Sequence, residues 1–178
     1  MRKLKTQELN RLSPEEFEKA KKIPLVLVLD NIRSMNNVGS CFRTADAFRL
    51  EKIYLCGITA QPPHREIHKT ALGATETVEW EYNENVVDCL NNLKDNGYKI
   101  YSLEQADKSI LLDKLPIEEN SKIALVLGNE VSGVSDQAIK LSDLVLEIPQ
   151  YGSKHSFNVS VATGIATWEI IRKNSWLQ

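Results

Sequence analysis

Residues 23–29 read Ile-Pro-Leu-Val-Leu-Val-Leu, an apolar run with no polar alternation. A strand with one wet face would alternate; an unbroken run fits a strand covered on both faces of a parallel sheet. Shorter runs follow at Lys52–Cys56, Thr77–Trp80, Tyr98–Ser102, Lys122–Leu127 and Leu144–Ile148, with helix-like stretches between them at about 38–49, 84–95, 134–141 and 156–174. Strands alternating with helices predict an α/β fold with a mainly parallel sheet flanked by helices. The 178 residues contain no internal repeat, low-complexity tract or Gly/Ser linker, which predicts one domain over 23–178. Residues 1–22 are polar and predict a short N-terminal helical extension. In it Ser13 is an N-cap, Pro14 stands at the first helical position, and Glu15 and Glu16 fill the first turn.

Composition narrows the class further. Hydrophobic residues make up 42% and charged residues 26%, as in a globular protein with a core and unlike a disordered chain. The run at 23–29 is far shorter than the roughly 20 residues of a membrane-spanning helix, and the first ten residues lack the apolar centre of a secretory signal. Cys41, Cys56 and Cys89 are odd in number, widely spaced and without a CxxC pair, which excludes a disulfide framework or a cysteine cage for zinc and suits a reducing cytoplasm. A net charge of −2 gives no global basic field.

In parallel α/β folds ligands bind beyond the carboxyl ends of the strands, and three unusual loops lie at such ends. The first, Asp30 to Asp46, holds Asn37 as a candidate helix N-cap and Gly39 as a point of close backbone approach. A helix starting near Val38 puts Val38, Cys41, Phe42, Ala45 and Phe48 on one face and Arg43 nearly opposite. There Arg43 is either a solvated surface residue or a phosphate ligand. The second, Gly128-Asn129-Glu130-Val131-Ser132-Gly133, brackets a carboxylate between glycines; a plain strand-to-helix turn has the same look, and it is neither a P-loop nor GxGxxG. The third runs from Ile148-Pro149 through Gly152 to Ser156-Phe157-Asn158, and enters a helix rich in small residues. Phe157, Val161, Ile165 and Trp168 follow helical spacing and are expected in the core. Ser156 and Asn158 either cap that helix or bond a ligand. His64 and His68, at i and i+4, suggest a metal pair, but the order is not His-Glu-x-x-His and Pro62-Pro63 precedes it, so a polar loop is the preferred role and no metal is expected.

Taken in order, Asn37-x-Gly39-x-x-x-Arg43-Thr44-Ala45, Leu127-Gly128-Asn129-Glu130-x-x-Gly133 and Ile148-Pro149…Gly152…Ser156-Phe157-Asn158-Val159-Ser160-Val161-Ala162 resemble the three motifs of the SpoU (TrmH-like) branch of the SPOUT RNA methyltransferases. Thr70 to Glu76 resembles a further family segment, and the resemblance spans about Pro24 to Trp168. It implies transfer of a methyl group from S-adenosyl-L-methionine to a ribose 2′-hydroxyl of tRNA or rRNA, with no metal. It also implies a C-terminal deep trefoil knot, which general topology rules would not predict, and a homodimer whose active site forms across the interface. In place of the family's Ile-Pro-Met and Ser-Leu-Asn the chain has Gln150 and Phe157, which implies altered packing around the cofactor rather than lost binding.

The resemblance also assigns roles. Arg43 would hold the phosphate beside the target ribose and polarise its hydroxyl, since a guanidinium is a poor base. Asn37 would fix Arg43 and the first loop, and Glu130 would orient Arg43 or the ribose. Ser156 and Asn158 would complete the pocket, while Leu103, Gly128, Ile148, Ser156 and Phe157 would cradle the cofactor. RNA binding would draw on Lys19, Lys21, Lys22, Arg33, Arg43, Arg65, Lys69 and Lys154, gathered on one face by the dimer. Two rivals remain: a non-catalytic RNA-binding or ribosome-assembly module, against which the intact polar set speaks, and a base methyltransferase of another SPOUT branch.

Overall fold

The computed structural model describes residues 1–116, 121–174 and 176; residues 117–120, 175, 177 and 178, which belong to the expected domain span, lie outside it. Among the described residues, seven parallel strands form one sheet in the order β3-β2-β1-β6-β4-β7-β5. They are β1 (Ile23–Asp30), β2 (Leu50–Cys56), β3 (Trp80–Asn83), β4 (Tyr98–Leu103), β5 (Ile110–Leu111), β6 (Lys122–Leu127) and β7 (Leu144–Glu147). Around them lie α1 (Pro14–Lys19), α2 (Met35–Ala47), α3 (Arg65–Ala71), α4 (Ala74–Thr77), α5 (Val86–Asp95), α6 (Asp136–Leu141) and α7 (Val159–Lys173).

The unbroken apolar run of β1 is explained by its two covered faces. Leu25, Leu27 and Leu29 pack with Val38, Cys41, Phe42 and Ala45 of α2 and Ala166, Ile170 and Ile171 of α7. Val26 and Val28 pack on the other side with Val86, Cys89, Leu90 and Leu93 of α5 and Ala138 of α6. Each of these strand side chains is fully buried and contributes roughly 1.5–3 kcal/mol of hydrophobic stabilisation. Phe17 of α1 is buried too, so the N-terminal helix is docked on the core rather than free.

Register then places the strand ends. Leu29 pairs with Leu127, Leu127 with Leu103, and Leu103 with Leu146. The carboxyl ends of β1, β6, β4 and β7 therefore form one row, and the loops leaving that row are neighbours in space although about 120 residues separate the first from the last.

Several elements depart from the sequence expectation. Helix α2 begins at Met35, and its cap is Ser34, whose side chain accepts from Asn37 N; Asn37 sits inside the first turn, not before it. Thr77 ends α4, with its hydroxyl donating to Asp46 Oδ2 at 2.6 Å, so the third strand starts only at Trp80. Asn158 and Ser135 cap α7 and α6, which therefore start later than the hydrophobic pattern suggested.

Candidate active site

Beyond the row of strand ends lies a cavity of about 500 Å³, within the range of small-molecule sites. Its floor is Leu103, Leu127 and Leu146, and its walls are the loops after β4, β6 and β7. All five residues expected to cradle the cofactor, Leu103, Gly128, Ile148, Ser156 and Phe157, line it, as do Glu130 and Asn158.

The three motif loops are joined by one chain of hydrogen bonds. Glu130 accepts from Arg33 N at 2.9 Å, Ser34 N at 3.0 Å and Asn37 Nδ2 at 2.8 Å. Asn37 Oδ1 in turn accepts from Asn158 Nδ2 at 3.2 Å, and Asn158 Oδ1 caps α7 by accepting from Ser160 N at 2.9 Å. Asn129 adds a second tie by donating to the Asn31 carbonyl at 2.7 Å. Burial alone would raise the Glu130 carboxyl, but donation from the Arg33 N–H and the Asn37 amide outweighs it and holds the group below its ordinary value. Glu130 is thus an ionised clamp on the first loop.

Within one chain this geometry does not bring Arg43 to Asn37 or Glu130. Six residues on an α-helix separate Asn37 from Arg43 by about 120° of rotation, so Asn37 faces α7 while Arg43 stands on the exposed outer ridge of α2. Arg43 forms no hydrogen bond or ion pair with another described residue, and it does not line the cavity. The close approach expected at Gly39 is present. A Cβ there would collide with the Ile67 carbonyl and the Thr70 hydroxyl, because α3 lies directly on it, with Thr70 donating to Asn36 O at 2.9 Å.

Other expectations fail on burial. Phe157, Val161, Ile165 and Trp168 are 42%, 50%, 38% and 50% exposed, an apolar stripe along the outside of α7 and not part of the core. Lys19, Lys21 and Lys22 precede β1 and Arg33 follows it, about 23 Å apart by strand rise, and Lys22 is engaged with Phe17, donating to its carbonyl at 2.5 Å. The two imidazoles have local partners: His64 caps α3 by accepting from Glu66 N, and His68 lies 3.4 Å from the Thr75 hydroxyl. Among the described residues no cluster of three or more His, Cys, Asp or Glu could hold a metal ion, and no helix is long and apolar enough to cross a membrane.

Sequence reasoning missed Glu104, Gln105 and Glu147, which also line the cavity. Gln105 Nε2 donates to the His155 carbonyl at 3.1 Å and so ties the loop after β4 to the third motif. None sits in a recognisable motif; their position one to two residues beyond the strand-end row was the available signal.

This fold, with a cavity beyond the carboxyl ends of its strands, is that of the SpoU class. The chain belongs to the SpoU rRNA Methylase family, whose model matches residues 24–168. It is 35% identical over 151 residues to the 23S rRNA (guanosine-2′-O-)-methyltransferase RlmB of Nitrosomonas europaea, covering 85% of this chain and 57% of that protein. The TrmH/SpoU tRNA modifying enzyme of A. aeolicus superposes with a TM-score of 0.79 at 29% identity, over 92% of this chain and 81% of that one. The S-adenosylmethionine-bound rRNA methyltransferase of Sinorhizobium meliloti gives 0.79 at 26% identity, over 91% and 61%. The chain thus spans little more than half the length of the Nitrosomonas relative.

Proposed function

We propose that this chain transfers the methyl group of S-adenosyl-L-methionine to a ribose 2′-hydroxyl of rRNA or tRNA, acting in the cytoplasm. The observation that carries the reading is the hydrogen-bonded chain Glu130–Asn37–Asn158, which draws the three family motifs together at the rim of one nucleoside-sized cavity. Residues 23–178 form the catalytic unit, with the knotted C-terminus of the family, and 1–22 the appended helix.

The cavity fits the cofactor: an apolar leucine floor suits adenine, and polar groups from three loops suit a ribose and an amino-acid tail. When bound, S-adenosylmethionine supplies an electrophilic methyl on a positively charged sulfur. The chain's contribution is in-line positioning and exclusion of water. Leu103, Gly128, Ile148, Ser156 and Phe157 hold the nucleoside, and Glu130 keeps the first loop in place against it. Arg43 acts on the RNA by gripping the phosphate next to the target ribose and donating toward its 2′-oxygen as that proton leaves to the phosphate or to water.

Because Arg43 lies outside its own cavity, a second copy of the chain completes the site. The exposed stripe Phe157, Val161, Ile165 and Trp168 lies on and just before α7, which packs against α2, the helix that carries Arg43, with the Phe48 and Trp168 ring centroids 6.1 Å apart; burying the stripe in a homodimer would set the Arg43 of one copy at the cavity of the other.

The test is methyl transfer from labelled S-adenosylmethionine to tRNA and, separately, to rRNA lacking native modifications. The expected product is an alkali-resistant dinucleotide carrying the label. Arg43→Ala should lower the rate about 100-fold or more while leaving cofactor affinity within about twofold. Label on a base would place the chain among base methyltransferases, and cofactor-independent RNA binding without transfer would make it a binding module.

A further inference from the structure

The charge of the cavity is one-sided. Its described lining holds three carboxylates, Glu104, Glu130 and Glu147, one imidazole, His155, and no lysine or arginine. Glu130 is spent on the first loop, whereas the other two carboxylates form no ion pair with a described residue. Glu104 is fixed in place: Oε1 accepts from Gln105 N at 2.8 Å and Oε2 from Val134 N at 2.9 Å. An ionised carboxylate has about four acceptor directions, so half remain free. Gly133 is the residue that makes room, since a Cβ there would collide with Glu104 Oε2, and its φ of +72° excludes most side chains as well. Glu147 accepts from the Ser109 hydroxyl at 2.7 Å.

Holding unneutralised carboxylates in a partly closed cavity costs desolvation energy, which a cationic occupant offsets. S-adenosylmethionine carries a sulfonium and an ammonium against one carboxylate, a net charge of +1. S-adenosylhomocysteine, left after the methyl has gone, is a thioether with no net charge. We propose that Glu104, supported by Glu147, is a specificity-determining residue that reads this charge, so that the cavity retains the methyl donor and releases the spent product. The proposal rests on the cavity being the cofactor site.

Titration calorimetry on the intact chain with S-adenosylmethionine, S-adenosylhomocysteine and sinefungin, which replaces the methylsulfonium with an aminated carbon, tests it. At low salt both cationic ligands should bind about three- to tenfold more tightly than S-adenosylhomocysteine, and the gap should narrow as salt rises. Glu104→Gln should weaken the two cations by that factor and the neutral product by less than about twofold. Glu147→Gln keeps a partner in the rotatable Ser109 hydroxyl and should move the gap the same way by less; it decides the question if melting curves show that Glu104→Gln does not fold. Equal wild-type affinity for all three ligands, or an equal loss for all three in the variants, would overturn the proposal and leave Glu104 a loop clamp. If none of the three binds the wild type, the cofactor assignment of the cavity falls and the proposal falls with it.

Discussion

Removing the Glu130 carboxylate strands three donors at once, Arg33 N, Ser34 N and Asn37 Nδ2. The carboxylate is exposed, so Glu130→Ala should cost about 1 kcal/mol or less of global stability; the larger effect is local, on the order of the first loop. Its pH dependence has a definite sign. The folded carboxyl lies below its ordinary value because the Arg33 and Asn37 donors outweigh burial, so the clamp is fully present above the unfolded carboxylate pKa of about 4.3 and is lost as pH falls through the lower folded value. The amide resonances of Arg33 and Ser34 should therefore shift together on acidification with an inflection below that of a free glutamate, and should stay flat in Glu130→Gln. An inflection above it would refute the clamp. Glu130 and Gly39 were legible in the sequence as residues. Their partners were not, because Glu130 finds Asn37 across 93 positions, and only the register of β1 against β6 brings those positions together.

At the scale of elements, the pattern of α7 shows why periodicity named the helix but misplaced its faces. Two apolar sets share it: Ala166, Ile170 and Ile171 enter the core with Thr163 and Thr167, while Val161, Ile165 and Trp168 line the outside, with Phe157 just ahead of the helix. Spacing alone ranks the bulkier set as core, and the small and hydroxyl residues were in fact the ones that fit against α2, where Thr163 lies 3.5 Å from Cys41 Sγ. The proposed dimer assigns the bulky set a partner. Ile165→Glu and Trp168→Glu should shift the chain from dimer to monomer in light scattering, keep its circular dichroism, and cost transfer activity more than cofactor affinity. A wild-type monomer at micromolar concentration would refute it. The α2–α3 contact offers an independent check. Gly39→Ala gains about 0.5–1 kcal/mol of helix propensity, but its Cβ meets the Ile67 backbone, which cannot swing away. Overpacking of about 1–3 kcal/mol should win, lowering the melting temperature by several degrees. An unchanged or raised value would mean that α3 is loosely held. Helices α3 and α4 and the short β5 escaped the sequence reading because at two to seven residues they are too brief for a period to register.

At the scale of the whole molecule the sheet is rigid and the site is not part of it. Apart from Glu147 at the end of β7, the groups that line the cavity above its leucine floor belong to loops or to the start of α7, and those loops are joined to one another mainly by side-chain hydrogen bonds: Glu130 to the first loop, Asn158 to Asn37, Asn129 to Asn31, Gln105 to His155. Such segments open at less free energy than core strands, and a ligand that touches several of them stabilises all of them together. Saturating S-adenosylmethionine at about 100 times its Kd should add about 2.7 kcal/mol, which for a chain of this size raises the melting temperature by roughly 5–10 °C. Hydrogen exchange locates the effect. Protection should rise jointly in residues 31–37, 103–105, 128–134 and 148–158, while β1 and β6, already buried on both faces, change little. Protection confined to one of the four segments would mean that the hydrogen-bonded chain does not couple them. In that case the motifs meet at the cavity without acting as a unit, and Glu130→Ala would leave cofactor affinity untouched.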